Sequence, residues 1–534
     1  MKNTASLLGL LRYTSRKFPA GAAALLLPAL AIGLADTIAK PAAANSPEAT
    51  LIESNSSRNS LASNSQTSHF PISSSPVNHS QSSNPQISDQ QLSRLQLSRL
   101  QLSNPQVDTL QTSALKASNL IANTFQDSPK VVLDEAWQLV YREYVDASFN
   151  RVDWLGVRQT LLSGEYTSRD AAYSALRKML RRLEDPYTRF LNPVQYAALT
   201  EQTSGEVSGV GVRFEEQAQG LVITGVLDNS PAQSAGIAVG DVILTLDGRS
   251  SRNLTIETAS DLIRGESGSQ VTLTIRRKDN SEESITLTRA VVSVPTVTAE
   301  LQQQNGTAVG YIRLDEFSAH AAEQMAAAIE RLTGQGAEAF VLDLRNNPGG
   351  LLQSSIDISR MWLPRGSIVR TVNRDGKSDE IAANRTAITD LPLAVLVNGQ
   401  SASSSEIVTG ALGDNDRAVI VGNPTFGKAL VQSLHGLSDG SGIAVTVAHY
   451  YTPDGTDISK RGITPDINVT LTEAQKQHLS ANPEVRGTSA DPQFVSAVEA
   501  MQPEVIARRQ NADTTVASPN DLPHSPSQLG RLNP

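Results

Sequence analysis

The chain has 534 residues with 45 Lys+Arg against 54 Asp+Glu, a formal net charge of −9, so it is not built to coat nucleic acid, which takes clustered cations. Its apolar share of 39 % is below the usual about 45–50 %, which predicts that part of the chain does not fold. There is no cysteine, and none of the seven histidines lies four residues from another; disulfides, thiolate chemistry and a zinc hydrolase are not expected, and the chemistry calls for no metal or organic cofactor.

Residues 1–44 read as an export signal. Lys2, Arg12, Arg16 and Lys17 make a basic start, Phe18 to Ala35 is uncharged, and Ala42-Ala43-Ala44 offers a small-residue cleavage site. A retained anchor is the alternative, since the uncharged run is just long enough to span a bilayer. Residues 45–124 are rich in Ser, Asn and Gln, with a tandem repeat QLSRLQLSRLQLS at 91–103. Such composition lacks the apolar area to offset chain entropy and predicts a disordered linker.

Residues 125–203 predict a helical module. DEAWQLVYREYV (134–145) places Trp137, Val140, Tyr141 and Tyr144 at helical spacing, and SRDAAYSALRKMLRRL (168–183) repeats the pattern, with Asp153-Trp154 between them. The module closes on LEDPYTRFLNP (183–193), where two X-Pro steps stop the helix. Residues 204–294 predict a β-rich segment with strands at 209–214, 221–227, 241–248, 271–277 and 284–292, and a helix at 256–265. Residues 295–500 predict an alternating α/β core that also takes up part of 125–203. Its strands are AVGYIRL (308–314), AFVLDLR (339–345), LPLAVLVN (391–398) and RAVIVG (417–422), with helices at 321–332, from Leu351, and from near Ser403. Residues 501–534 predict a disordered tail.

Two strand-to-helix turns of the core can build a hydrolytic site. SASSSEI (401–407) sets serines at a helix N-terminus, where unpaired N–H groups and the helix dipole suit a developing oxyanion. Asn346-Asn347-Pro348-Gly349-Gly350 could bring a second donor close, because glycine has no side chain in the way. No histidine stands in these turns. Lys428, in the apolar stretch PTFGKALVQ, would have its pKa lowered by desolvation toward that of a general base, which makes a Ser–Lys dyad the economical arrangement; an ordinary surface lysine is the alternative. Two near-motifs are discounted. GNPTFGKA (422–429) ends in Ala where a phosphate loop needs Ser or Thr, and GLSDG (436–440) falls where a hairpin, not a nucleophile elbow, is expected.

The β-rich segment resembles a PDZ domain through Ser230-Pro231-Ala232, Ala235-Gly236-Ile237 and Gly240-Asp241. That resemblance puts Gly209, Val210, Gly211 and Val212 at the carboxylate-binding loop and implies that protein C-termini are the partners. In order along the chain, DPYTRFL, GYIRLDEF, VLDLRNNPGG, SASSSEI, VGNPTFGKALVQ and YYTPDGTDISKRGITPDI resemble the carboxyl-terminal processing proteases, tail-specific serine peptidases. The resemblance covers about residues 125–500 and implies a multidomain α/β protein: a helical module, an inserted PDZ domain and a peptidase core. It implies Ser403 as nucleophile, Lys428 as general base and Gln432 as the lysine's orienting partner, with the N–H groups of Gly350 and Ser404 in the oxyanion hole. Gly349 is the alternative to Gly350, since the turn can slip by one. Members often carry Ala where this chain has Ser404. Similarity to cyanobacterial and plastid members, notably around NRVDWLGVR (150–158), implies a thylakoid lumen or periplasm and the photosystem II reaction-centre precursor as substrate. A catalytically silent scaffold that tethers C-termini through the PDZ domain is the competing reading. Oligomeric state and peripheral membrane association stay open.

Overall fold

A computed structural model describes residues Ala23–Leu26 and 128–516. Apart from that first strand, β1 (Ala23–Leu26), the expected signal and the Ser-rich linker lie outside the described residues.

The helical module begins at Ser128, whose hydroxyl accepts from the Lys130 N–H, with Pro129 in the first turn where a missing N–H costs nothing. Helix α1 (Pro129–Glu143) buries Leu133, Ala136, Trp137 and Val140. Where the sequence suggests only a link, Asp153 accepts from the Gly156 N–H and opens a further helix, α2 (Trp154–Ser163). The Trp137 indole N–H donates to the Trp154 carbonyl at 2.8 Å, pinning α2 to α1. Helix α3 (Arg169–Leu180) follows, capped by Ser168. The DPYTRFL stretch is not just a helix stop: it forms strand β2 (Arg189–Leu191), and α4 (Pro193–Ser204) follows behind a capping box of Asn192 and Gln195.

Strand β3 (Glu206–Gly209) leads into the β-rich segment, which holds β4 (Val212–Gln217), β5 (Gly220–Val226), the short helix α5 (Pro231–Ser234), β6 (Val242–Leu246), β7 (Arg249–Ser250), α6 (Ile256–Ile263), β8 (Gln270–Arg276) and β9 (Glu282–Thr288). The chain leaves by β10 (Ala290–Ser293), which pairs antiparallel with β3, so the two strands form the stem of an insertion. The strand expected at 209–214 breaks at Gly211, whose φ of +80° turns the backbone into the left-handed region. The sheet order is β4-β5-β6-β8-β9, with β4 at an edge. Its core includes Ile223, Ile243, Leu246, Leu273 and Ile275 against Ala259 and Ile263 of α6.

The core carries β11 (Val297–Gln304), β12 (Thr307–Leu314), α7 (Ala321–Gly334), β13 (Ala339–Asp343), β14 (Gly350–Leu351), α8 (Leu352–Trp362), β15 (Ser367–Asn373), β16 (Ser378–Ala382), β17 (Leu393–Val397), α9 (Ser404–Asp414), β18 (Val419–Gly422), β19 (Leu430–Gly436), β20 (Gly442–Tyr451), β21 (Ile467–Asn468), α10 (Glu473–Ala481) and α11 (Pro492–Val516). One sheet runs β11-β12-β13-β17-β18-β21, parallel from β12 onward. Every residue of β13 and β17 is buried, as expected of parallel strands covered on both faces. Met325, Ile329, Ile358, Trp362 and Val408 cover one face, and Phe494, Val498, Met501 and Val505 the other. That second contact is why α11 continues to Val516, past the point where the sequence suggests a disordered tail; residues 517–534 lie outside the described set. The second sheet is antiparallel, ordered β14-β1-β19-β20-β15-β16, with β2 paired to β20. GLSDG spans the end of β19 and the hairpin to β20, and Lys428 leads into a strand rather than the helix of a phosphate loop.

Candidate active site

The parallel strands end at one edge, where loops at strand carboxyl ends build sites in α/β sheets. The turn after β17 delivers Ser403 to the start of α9, the turn after β13 delivers Gly349 and Gly350, and the loop after β18 delivers Lys428. Gln432 comes from β19.

Ser403 is fully buried and holds φ +63°, ψ −113°, a strained conformation for a residue with a Cβ. Its Oγ has no hydrogen-bond partner. Ser404, the first residue of α9, lies where helix N–H groups have no partner in the helix itself, and its hydroxyl donates to the Gly350 carbonyl at 3.2 Å. Gly349 sits tight against the Ser403 turn: a Cβ there would be 2.8 Å from the Ser403 Cβ and 3.1 Å from the Ser404 N. Its N–H is committed to Asn347 Oδ1 at 2.9 Å. Of the two glycines, that leaves Gly350 as the one whose donor is not drawn into its own turn.

Lys428 is 1 % exposed. Burial, aided by the Arg189 guanidinium, lowers its pKa to about 7, while Glu406 and Asp185 pull the other way. The Tyr187 ring lies 4.7 Å from its Nζ. Gln432 is fully buried; its Nε2 donates to Thr446 Oγ1 at 3.4 Å and its Oε1 has no partner, so it presents a bare acceptor. Thr446 donates in turn to Asp185 Oδ2 at 2.7 Å, which also accepts from Thr188. DPYTRFL thereby supports the Gln432 side of the site.

Glu406 is the residue that sequence reasoning missed. Its Oε2 accepts from the N–H groups of Ser403 (2.8 Å) and Lys428 (2.9 Å), and its Oε1 from the Gly427 N–H and the Thr425 hydroxyl, both at 2.6 Å. One carboxylate thus fastens the Ser403 turn to the lysine loop. Burial raises its pKa against the pull of these four donors. The signal was present as a capping-box spacing, Ser403 followed three residues on by Glu406.

β1 lies between the two turns' neighbours. Leu25 and Leu26 pair antiparallel with Leu351 and Gly350, and Ala23, Ala24 and Leu25 with Leu434, Ser433 and Gln432. An extended backbone therefore fits between β14 and β19.

The chain matches the family model for peptidase family S41 over residues 308–469 and that for a PDZ domain over 222–277. It is 47 % identical over 348 residues to a carboxyl-terminal-processing protease of Picosynechococcus sp., covering 65 % of this chain and 84 % of that one. It belongs to the carboxyl-terminal processing proteases of peptidase family S41. A carboxyl-terminal-processing protease of Synechocystis sp. is 42 % identical over 74 % of this chain and 92 % of its own. The solved photosystem II D1 C-terminal processing protease is similar at 38 % identity and a TM-score of 0.45, over 69 % of this chain and 99 % of that one.

In this protease the four loop residues expected to bind a C-terminus lie in the PDZ segment, apart from Ser403 in sequence and in core. Gly209 ends β3, and a Cβ on it would lie 3.4 Å from the Ile263 carbonyl at the end of α6. Val210 is buried and its carbonyl accepts from the Ala232 N–H. A Cβ on Gly211 would come within 2.2 Å of the Ser230 Cβ, and Val212 starts edge strand β4. A glycine-rich turn running into an open strand edge beside a helix end is suited to an extended peptide tail. Among the described residues no cluster of three or more His, Asp or Glu side chains is arranged for a metal ion.

Proposed function

We propose that Ser403 is the nucleophile of this serine protease, neutral Lys428 its general base, and Gln432 the acceptor that orients the lysine, with the N–H groups of Gly350 and Ser404 receiving the oxyanion. The observation that carries this reading is the depressed pKa of Lys428, about 7, on a loop held to the Ser403 turn by Glu406. A neutral amine can take the Ser403 Oγ proton as Oγ attacks the scissile carbonyl. The tetrahedral intermediate collapses as the C–N bond breaks and the lysine ammonium returns that proton to the leaving amine. Water, deprotonated by the lysine, then attacks the ester; the C–Oγ bond breaks, the lysine ammonium returns that proton to Ser403 Oγ, and the released acid ionises to solvent.

The pairing of β1 supports the binding mode: a substrate strand between β14 and β19 would be fixed on both sides, close to both catalytic turns. The PDZ segment captures the substrate's C-terminal carboxylate at Gly209–Val212, and β4 extends the tail as an added strand. The basic, then apolar, leader and the cyanobacterial and chloroplastic relatives support an exported protein of the thylakoid lumen or periplasm, with the photosystem II reaction-centre precursor as substrate. A silent tethering scaffold is less well supported, because it would have no use for a buried lysine of lowered pKa beside a strained serine.

The test is incubation of the full chain with an unfolded protein carrying an apolar C-terminus, alongside the same protein with that terminus amidated, with products mapped by mass. Removal of a C-terminal segment from the free-acid form, much slower for the amide, is expected. Equal rates would remove the PDZ role, and no cleavage of either would remove the peptidase reading.

A further inference from the structure

On the same carboxyl edge of the parallel sheet lies a cavity of about 460 Å³ that the catalytic groups do not use, within the range of about 300–1,000 Å³ typical of small-molecule sites. Its wall carries four cations, Arg313, Arg345, Lys476 and Arg486, together with carboxamides including Asn346 and Asn398, and no Asp or Glu lines it. The acids that balance these cations stand behind the wall or on the outer surface. Arg345 is gripped by buried Asp343 and Asp491, Arg313 Nε donates to Asp315, and Lys476 pairs with exposed Glu473. Arg313 Nη1 is buried without a hydrogen bond and stands 3.7 Å from Asp343 Oδ2, and Arg486, whose Nε donates to the Leu479 carbonyl, has no acid partner among the described residues. Arg345 spends all its N–H donors on Asp343, Asp491 and Gln493, so the positive charge turned to the cavity comes from Lys476 and Arg486 at its rim, with the wall carboxamides beside them.

We propose that this cavity binds a small multiply charged oxyanion, a phosphoryl or polycarboxylate compound. Guanidinium and carboxamide N–H groups converging on clustered anionic oxygens are the matching chemistry. The cavity also touches both catalytic turns from behind. Asn346 precedes the Gly349-Gly350 turn and Asn398 precedes the Ser403 turn, and the two are joined: the Asn346 N–H donates to Asn398 Oδ1 (3.0 Å) and Asn398 Nδ2 to Asn346 Oδ1 (2.8 Å). A bound anion would bear on that clasp. The binding itself does not depend on the peptidase assignment.

The test is calorimetric titration of the full chain with pyrophosphate and, separately, with citrate, at ionic strength matched by chloride. One saturable site is expected; whichever anion binds tighter tells phosphoryl from carboxylate chemistry. A Lys476→Gln, Arg486→Gln double variant, altered only at the cavity rim, is expected to bind about tenfold more weakly or worse while melting like the parent without ligand. An Asn423→Asp variant, placing a carboxylate in the wall, is expected to weaken binding likewise. Absence of saturable heat for both anions, or parental affinity in both variants, would overturn the proposal.

Discussion

Glu406 Oε2 accepts from the Ser403 N–H at 2.8 Å and the Lys428 N–H at 2.9 Å, so the serine turn and the lysine loop share one oxygen atom. The two residues that the proposed reaction brings together are thus tied through their backbone N–H groups. Replacing Glu406 by Gln keeps the shape but turns one acceptor into an NH₂ facing N–H and O–H donors. Glu406→Gln is expected to lose about 1–3 kcal/mol of stability and about 10²-fold or more in kcat, a loss of the size seen when a preorganised group of an active site is removed. Thermal melting and steady-state kinetics would check this; unchanged kcat in a folded variant would mean that the shared carboxylate does not position the site.

Gln432 offers an unpartnered Oε1, backed by Thr446 and Asp185. A carboxylate in its place would favour the ammonium form of a nearby lysine. Gln432→Glu is therefore expected to move the rise of kcat/KM with pH toward alkaline values, and Gln432→Ala to lower kcat with a smaller displacement of the profile. An acid-side displacement in Gln432→Glu would contradict the orienting role.

The PDZ loop can be tested apart from the chemistry. At Gly211 a Cβ would meet the Ser230 Cβ at 2.2 Å, on a backbone that already has φ +80°. Gly211→Ala should distort the loop, weakening capture of a fluorescent C-terminal peptide by the Ser403→Ala chain and raising KM for tailed substrates more than it lowers kcat. Parental peptide affinity in the variant would place tail recognition elsewhere.

Much of this was legible in the sequence because its signals are local. The runs in β13 and β17 gave buried parallel strands, and the strand-to-helix turns marked SASSSEI and Gly349-Gly350 as neighbours, while the choice of Ser403 and Gly350 within them came from the resemblance. What could not be read was long-range. Nothing near Arg189 says that β2 pairs with β20 and that its guanidinium bears on Lys428, over 200 residues away. The Trp154 helix depended on a cap at Asp153 hidden between two stronger periodic runs. The helical continuation to Val516 depended on Met501 and Val505 meeting the sheet, which composition cannot show. Glu406 was visible as half of a capping box, but its three bonds to the lysine loop exist only once β18 delivers that loop beside α9.

Burial of Lys428 also carries a stability cost with a definite sign. Below pH about 7 the lysine is protonated in both folded and unfolded chains and the cost is felt in full; between that value and about 10.4 the unfolded chain holds a proton that the folded chain has released, so stability rises with pH and the cost fades. Lys428→Met, which replaces a buried cation by an apolar chain of similar length, is expected to be inactive and to melt above the parent at about pH 6, with the gap closing toward about pH 10. A gap that widens with pH would reverse the sign.

The neutral-lysine mechanism is tested most directly by the pH dependence of kcat/KM for the wild-type chain, with Ser403→Ala and Lys428→Ala as blanks. The fraction of neutral lysine grows above its pKa, so the rate should climb through an apparent pKa of about 7 and level off, with both blanks inactive throughout. A profile that is flat from acid to alkaline pH, one that rises only near the pKa of free lysine, or a Lys428→Ala chain that still cleaves would contradict Lys428 as the base that activates Ser403.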